Sequence, residues 1–138
     1  MSAKTPNKSF VLDTSALLAL RGNEAGADRV DVLLEQAKRN QCRILLSFMT
    51  RMEILYCVRR EEGDEAAREA LRLIDSFSME WVTCEPAILE KASEIKSTRR
   101  VSVADSWIAA TASVLRATLV HKDPEFTPLS EISQELLE

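Results

Sequence analysis

The chain has 138 residues, 46% of them hydrophobic and 29% charged. That mix suits one folded domain with a sufficient core and excludes a disordered or collagen-like chain. Eighteen basic and 22 acidic residues leave a formal net charge of −4, which excludes a surface basic throughout but leaves room for a local Arg/Lys patch.

In chain order, KSFVLD (8–13) reads as a short apolar strand, and TSALLAL (14–20) begins a helix directly after it. AGADRVDVLLEQAKRN (25–40) carries Val30, Leu33, Leu34 and Ala37 at helical spacing. CRILLS (42–47) is a second strand, followed by a helix over 49–63 that stops at Gly63. A further helix over 64–77 is rich in strong helix formers, so the two around Gly63 are expected to pair antiparallel and to project from the body. MEWVTC (79–84) is a strand, and 86–100 is a helix with Pro86 in its first turn. VSVADSWIAATASVL (101–115) reads as a helix buried on most sides, ATLVH (117–121) as a strand, and KDPEFTPL (122–129) as a turn region. SEISQELLE (130–138) reads as a short terminal helix, and residues 1–7 and 131–138 are expected to be peripheral. Strands alternating with helices predict one α/β domain over 1–138, with a parallel sheet covered on both faces.

The longest apolar run, FVLDTSALLAL, is too short to span a membrane and contains an Asp. MSAKTPNKSF lacks the apolar segment of a secretory signal. Cys42, Cys57 and Cys84 are odd in number and form no CxxC pair, so buried reduced thiols are expected. A soluble cytoplasmic protein follows as the expectation.

Four acids stand where a carboxylate needs explaining. Asp13 follows an apolar strand, where ligands bind in open parallel sheets; it also suits the N-cap of the next helix. Glu53 lies in the nearly all-apolar stretch MTRMEILYCV, where Thr50-x-x-Glu53 also fits a capping box. Asp105 shares a helix face with Val101, Ile108, Ala109 and Ala112, within about 60° at 100° per residue. Ser102-x-x-Asp105 is a second possible box. Asp123 follows the strand 117–121 and precedes Pro124, a common turn position. Each local explanation stands alone, whereas convergence at one sheet edge explains all four. Clustered buried carboxylates repel and take up protons. A hard divalent cation relieves both problems, and oxygen-only ligands favour Mg²⁺ or Mn²⁺ over zinc. No P-loop, GxGxxG or GxSxG is present, and His121 is the only histidine.

VLDTSALLAL, TRMEILY, SVADSWIAATA and TLVHKDPEF, in this order and spacing, resemble the PIN-domain ribonucleases. Within that family the chain is most similar to VapC-type toxins of toxin–antitoxin modules, from about residue 10 to 130. The resemblance implies a three-layer α/β fold with a five-stranded parallel sheet. It implies a Mg²⁺- or Mn²⁺-dependent endoribonuclease hydrolysing RNA phosphodiesters with a metal-activated water. The family's four acids map onto Asp13, Glu53, Asp105 and Asp123, and its hydroxyl residues after the first acid match Thr14 and Ser15. Asp13 and Asp105 are the first-choice metal ligands, with Asp123 direct or through water and Glu53 orienting the nucleophile or helping to hold the metal. Many relatives carry Thr or Ser two residues before the last acid; this chain has His121, a candidate for contact with substrate phosphate or for replacing that hydroxyl.

RNA approaching an acidic pocket calls for flanking positive charge, and KSTRR (96–100), with Lys96, Arg99 and Arg100, is the first candidate; Arg51, Arg59, Arg60, Arg116 and Lys122 are others. The resemblance further implies a cognate antitoxin docking a helical segment on apolar helix faces around 14–20 and 49–77, and a homodimer. The competing readings are a PIN-like module that binds RNA or a partner without cutting, and a phosphotransfer domain using a strand-end Asp. The latter is disfavoured because Ser15 stands where a haloacid-type phosphatase needs a second Asp.

Overall fold

The computed structural model describes residues 8–138; the peripheral segment expected at 1–7 lies outside them. Twelve elements follow one another: β1 (Ser9–Leu12), α1 (Thr14–Arg21), α2 (Ala27–Lys38), β2 (Arg43–Ser47), α3 (Phe48–Glu62), α4 (Asp64–Asp75), β3 (Glu80–Val82), α5 (Pro86–Thr98), α6 (Val103–Val114), β4 (Thr118–His121), a 3₁₀ turn (Pro124–Phe126) and β5 (Gln134–Leu136). The strands form one sheet in the order β3-β2-β1-β4-β5, with every neighbouring pair parallel. After β3 the chain returns to the other side of β1, so the strand order reverses beside β1. In open parallel sheets the crevice at the carboxyl ends of the strands at such a reversal receives ligands.

Strand residues alternate between two cores, as a pleat buried on both faces requires. Phe10, Leu12, Ile44, Leu46 and Val120 face α1–α4, packing with Leu17, Leu33, Ile54 and Leu71. Val11, Leu45 and Leu119 face α5 and α6, packing with Ile88, Ile95 and Ile108. The α6 face is lined with alanines, Ala109, Ala110 and Ala112 all being fully buried, which lets this helix lie close over the sheet. Ser102 caps it, accepting a hydrogen bond from the Asp105 N–H at 3.0 Å.

Three expectations need correction. SEISQELLE does not form a terminal helix, nor is it peripheral. Its residues 134–136 pair with β4 as the edge strand β5. Local helix propensity is worth only tenths of a kcal/mol per residue. Here it yields to covering the open β4 edge and to burying Ile132 and Leu137 in the two cores. Leu137 also approaches Gly26, where an added Cβ would lie 2.8 Å from the Leu137 Cβ and φ is +97°, so both space and backbone demand glycine. The α3–α4 pair turns at Gly63 (φ +98°) but does not project freely, because Ala67, Ala70, Leu71 and Ile74 of α4 enter the first core. Of the free cysteines only Cys42 is buried; Cys57 is half-buried and Cys84 exposed. Among the described residues no helix is long and apolar enough to cross a membrane.

Candidate active site

Asp13 sits immediately beyond β1, its N–H continuing the ladder to the Val120 carbonyl at 3.1 Å. It does cap α1, accepting from the Ala16 N–H at 2.9 Å. The Ser15 hydroxyl also donates to its carboxylate, with the two oxygens at 2.7 and 2.8 Å. The same Ser15 oxygen accepts the Lys122 N–H at 2.9 Å. Ser15 thereby ties the Asp13 carboxylate to the chain leaving β4. Asp13 is only 3% exposed. Burial pushes its carboxyl from 3.8 up to about 6. The hydrogen bonds from Ser15 and Ala16 oppose that rise, while the charge of Asp123 adds to it.

Glu53 lies one and a half turns into α3. The alternative of a capping box at Thr50 does not form, because β2 runs into α3 without a loop and Ser47 is the N-cap, accepting from the Met49 N–H at 3.2 Å. Glu53 is free to reach toward α1 instead, where it accepts the Thr14 hydroxyl at 2.6 Å. Adjacent hydroxyls on the first turn of α1 therefore orient two different acids, Thr14 on Glu53 and Ser15 on Asp13.

Asp105, in the first turn of α6, is 8% exposed. Burial pushes its carboxyl from 3.8 up to about 8, reinforced by a hydrogen bond with Glu125 and then by the charges of Asp123, Glu125 and Glu53. Asp123 caps the 3₁₀ turn, its Oδ1 accepting the Glu125 N–H at 2.9 Å. One carboxylate oxygen from each of Asp105, Asp123 and Glu125 lies within 4.8 Å of the other two.

The four expected acids thus share one region: Asp105 feels Asp123 and Glu53, and Asp13 feels Asp123. Sequence reasoning missed Glu125. The signal was the Asp-Pro pair, which starts a tight turn and folds the second following residue back over the first. Among the described residues none of these five carboxylates has an Arg or Lys ion-pair partner. An all-oxygen, uncompensated acid group matches the needs of a hard divalent cation. Asp105, Asp123 and Glu125 are placed to hold one directly, with Asp13 and Glu53 beside them. His121 is not available as a nitrogen ligand. It is 0% exposed, and its two ring nitrogens contact the Asp123 N–H at 3.1 Å and Gln134 Oε1 at 2.9 Å. The same burial keeps it from substrate phosphate.

The basic candidates are used unequally. Lys96 donates to the Val101 carbonyl at 2.8 Å. Arg99 donates to the Pro128 carbonyl and pairs with Glu131 at 3.2 Å. Arg100 is exposed and has no hydrogen-bond or ion-pair partner among the described residues. Lys122 lies 3.6 Å from Glu24. Arg116 lines a cleft with Lys8, Ser9 and Thr118 at the amino edge of the strands, away from the acids.

The sequence pattern of the PIN domain family matches residues 10–131. Among curated proteins, none matches the sequence significantly. Among solved structures, VapBC2 from Rickettsia felis, bound to a DNA fragment from its promoter, aligns with a TM-score of 0.78 at 19% identity, covering 94% of this chain and 99% of that one. VapBC-1 from nontypeable Haemophilus influenzae aligns at 0.73 and 23% identity, covering 93% and 97%. VapC20 from Mycobacterium tuberculosis, a sarcin-ricin loop cleaving toxin, aligns at 0.68 and 18% identity, covering 87% and 94%. The fold is shared with the VapC-type proteins, and with the family pattern spanning residues 10–131 the chain belongs to the PIN domain family.

Proposed function

We propose that this chain is a Mg²⁺- or Mn²⁺-dependent endoribonuclease and the toxin of a toxin–antitoxin pair. The observation that carries the reading is the group of five carboxylates at the carboxyl edge of the sheet, none of which has an Arg or Lys ion-pair partner among the described residues. A bound divalent ion supplies a lowered pKa for water and neutralises charge on the phosphate. The chain's own residues do the rest. Asp105, Asp123 and Glu125 would hold the ion, with Asp13 beside them as a further ligand. Thr14 fixes one oxygen of Glu53, leaving the other to orient the attacking water. Hydrolysis forms a P–O bond from that water and breaks the P–O bond to one ribose oxygen, which leaves with a proton. Arg100, without a hydrogen-bond or ion-pair partner among the described residues, is offered for a phosphate contact, whereas Lys96 and Arg99 stiffen the segment leading into α6.

The deciding experiment is cleavage of a labelled RNA in Mg²⁺ or Mn²⁺, in EDTA, and with D13N and D105N. Loss of cleavage in EDTA and in both variants supports the reading. Full activity of either variant overturns the site, and no cleavage by the wild-type chain with either metal favours the binding-only module.

The antitoxin part of the reading draws on the relatives solved as VapBC assemblies. It also draws on a groove of about 300 Å³ between α1, α3 and α4, lined by Leu17, Leu20, Ile54, Leu73 and Phe77. Apolar anchor side chains of an amphipathic helix fit such a groove. A homodimer belongs to the same reading, and light scattering of the purified chain and of the complex tests both contacts.

A further inference from the structure

His121 is the last residue of β4, two before Asp123. It is wholly buried, although the proposed chemistry gives it no role. Its hydrogen bonds have a fixed polarity. The Asp123 peptide N–H, 3.1 Å from Nδ1, can only donate, so Nδ1 carries a lone pair. The proton of the neutral ring therefore sits on Nε2, which donates to Gln134 Oε1 at 2.9 Å. Gln134 cannot flip, because its amide nitrogen donates to the Phe126 and Leu129 carbonyls, both at 2.8 Å, and carbonyls only accept. Phe126 also packs edge-to-face on the imidazole, with centroids 5.1 Å apart. A directed chain of hydrogen bonds thus runs from the Asp123 N–H through the ring to Gln134 on β5, and from there to the Phe126 and Leu129 carbonyls.

The preceding peptide is held from the opposite side. The Lys122 N–H donates to Ser15, which donates to Asp13. Two consecutive N–H groups leaving β4 are therefore fixed, one to the Asp13 side of the site and one to β5. Removing either leaves a peptide group free to turn, and Asp123 moves with it.

We infer that His121 and Gln134 are positioning residues that hold Asp123 within ligand distance of Asp105. The inference rests on the metal-site reading above, and its subject is which residues aim an acid rather than which bind the ion. Partners that orient a ligand typically change metal affinity by about 10–100-fold when lost.

The experiment uses the full chain and Mn²⁺ alone, with binding followed by electron paramagnetic resonance, and RNA cleavage in parallel. H121F keeps an aromatic ring, though a larger one, beside Phe126 and removes the acceptor; H121N offers Oδ1 to the N–H two residues on, as Asn does in turns. Expected is about tenfold weaker Mn²⁺ binding in H121F, with kcat lowered and KM for RNA unchanged. H121N recovers to within a few-fold of wild type. Q134A falls between them, and it replaces H121F as the deciding variant if thermal unfolding shows H121F to be misfolded. A folded H121F or Q134A binding Mn²⁺ like wild type overturns the inference, as does an H121N no better than H121F. Loss of binding in D105N alongside normal binding in these variants leaves the metal reading standing. No Mn²⁺ binding by the wild-type chain overturns both.

Discussion

Glu80 on β3 and Asp105 on α6 are both acids, yet their surroundings are opposite in kind. Glu80 is exposed and bidentate to Arg43, at 3.0 Å for both bonds, and that partner holds its carboxyl below the usual range. Glu62 and Asp64 behave likewise beside Arg21 and beside Arg68 and Arg59. Asp105 is buried with other acids for neighbours, and its carboxyl rises to about 8. The three carboxylates of Glu80, Glu62 and Asp64 are neutralised locally. The carboxyl edge of the sheet gathers carboxylates that have no ion-pair partner among the described residues. A protein keeps such a group only where something from outside completes it, since the arrangement opposes folding in its absence.

The largest test of this contrast is D105N, which keeps shape and removes charge. RNA cleavage is expected to fall about 1,000-fold or more, equivalent to roughly 4 kcal/mol. The thermal midpoint of the metal-free chain at pH 9 is expected to hold or rise. A large fall in midpoint with cleavage intact would make Asp105 a structural residue.

Next in size is the pH dependence of stability without metal. Asp13 at about 6 and Asp105 at about 8 both lie above the unfolded carboxyl value near 3.8. Between about pH 4 and 8 the folded chain therefore binds more protons than the unfolded one, so stability is greatest at the acid end and is lost as pH rises. The rise at Asp13 alone corresponds to roughly 3 kcal/mol. Denaturant titrations at pH 5 and pH 8 measure the difference. Saturating Mg²⁺ is expected to shrink it, because the ion replaces the protons.

Smaller again is T14V, which leaves Glu53 without its hydroxyl donor. A fall of about tenfold in kcat, roughly 1.4 kcal/mol, is expected with the midpoint almost unchanged. The smallest effect belongs to the exposed ion pair: a double-mutant cycle on Arg43 and Glu80 is expected to give less than about 1 kcal/mol, and less still in high salt.

Much of this contrast was legible in the sequence because it was written in local pattern. Apolar runs of four or five residues marked β1, β2 and β4, and helical periodicity marked the helices between them. Asp105 drew attention because a charge broke an apolar face. β5 was illegible: Glu, Gln and Leu favour a helix, and only the open β4 edge makes the segment a strand. Glu125 was hidden for a related reason, since its approach to Asp105 depends on a turn and a helix meeting in space. Lys96 and Arg99 looked like phosphate binders by composition, while their partners, the Val101 and Pro128 carbonyls and Glu131, could be found only by folding the chain. His121 stood out as a departure, but its work depends on Gln134, a residue with no motif of its own.

The Ser15–Lys122 hydrogen bond joins positions 107 residues apart, and this separation sets a timetable. Asp13 and its hydroxyl partner Ser15 leave the ribosome first, and β4, Asp123 and Glu125 follow more than 100 residues later. At translation speeds of about 5–20 residues per second, the second half of the acid group follows the first by roughly 5–20 s. Throughout that interval the nascent chain carries an incomplete site, and a product broken off before residue 123 never acquires one. Translation itself delays the moment at which this acid group can be assembled.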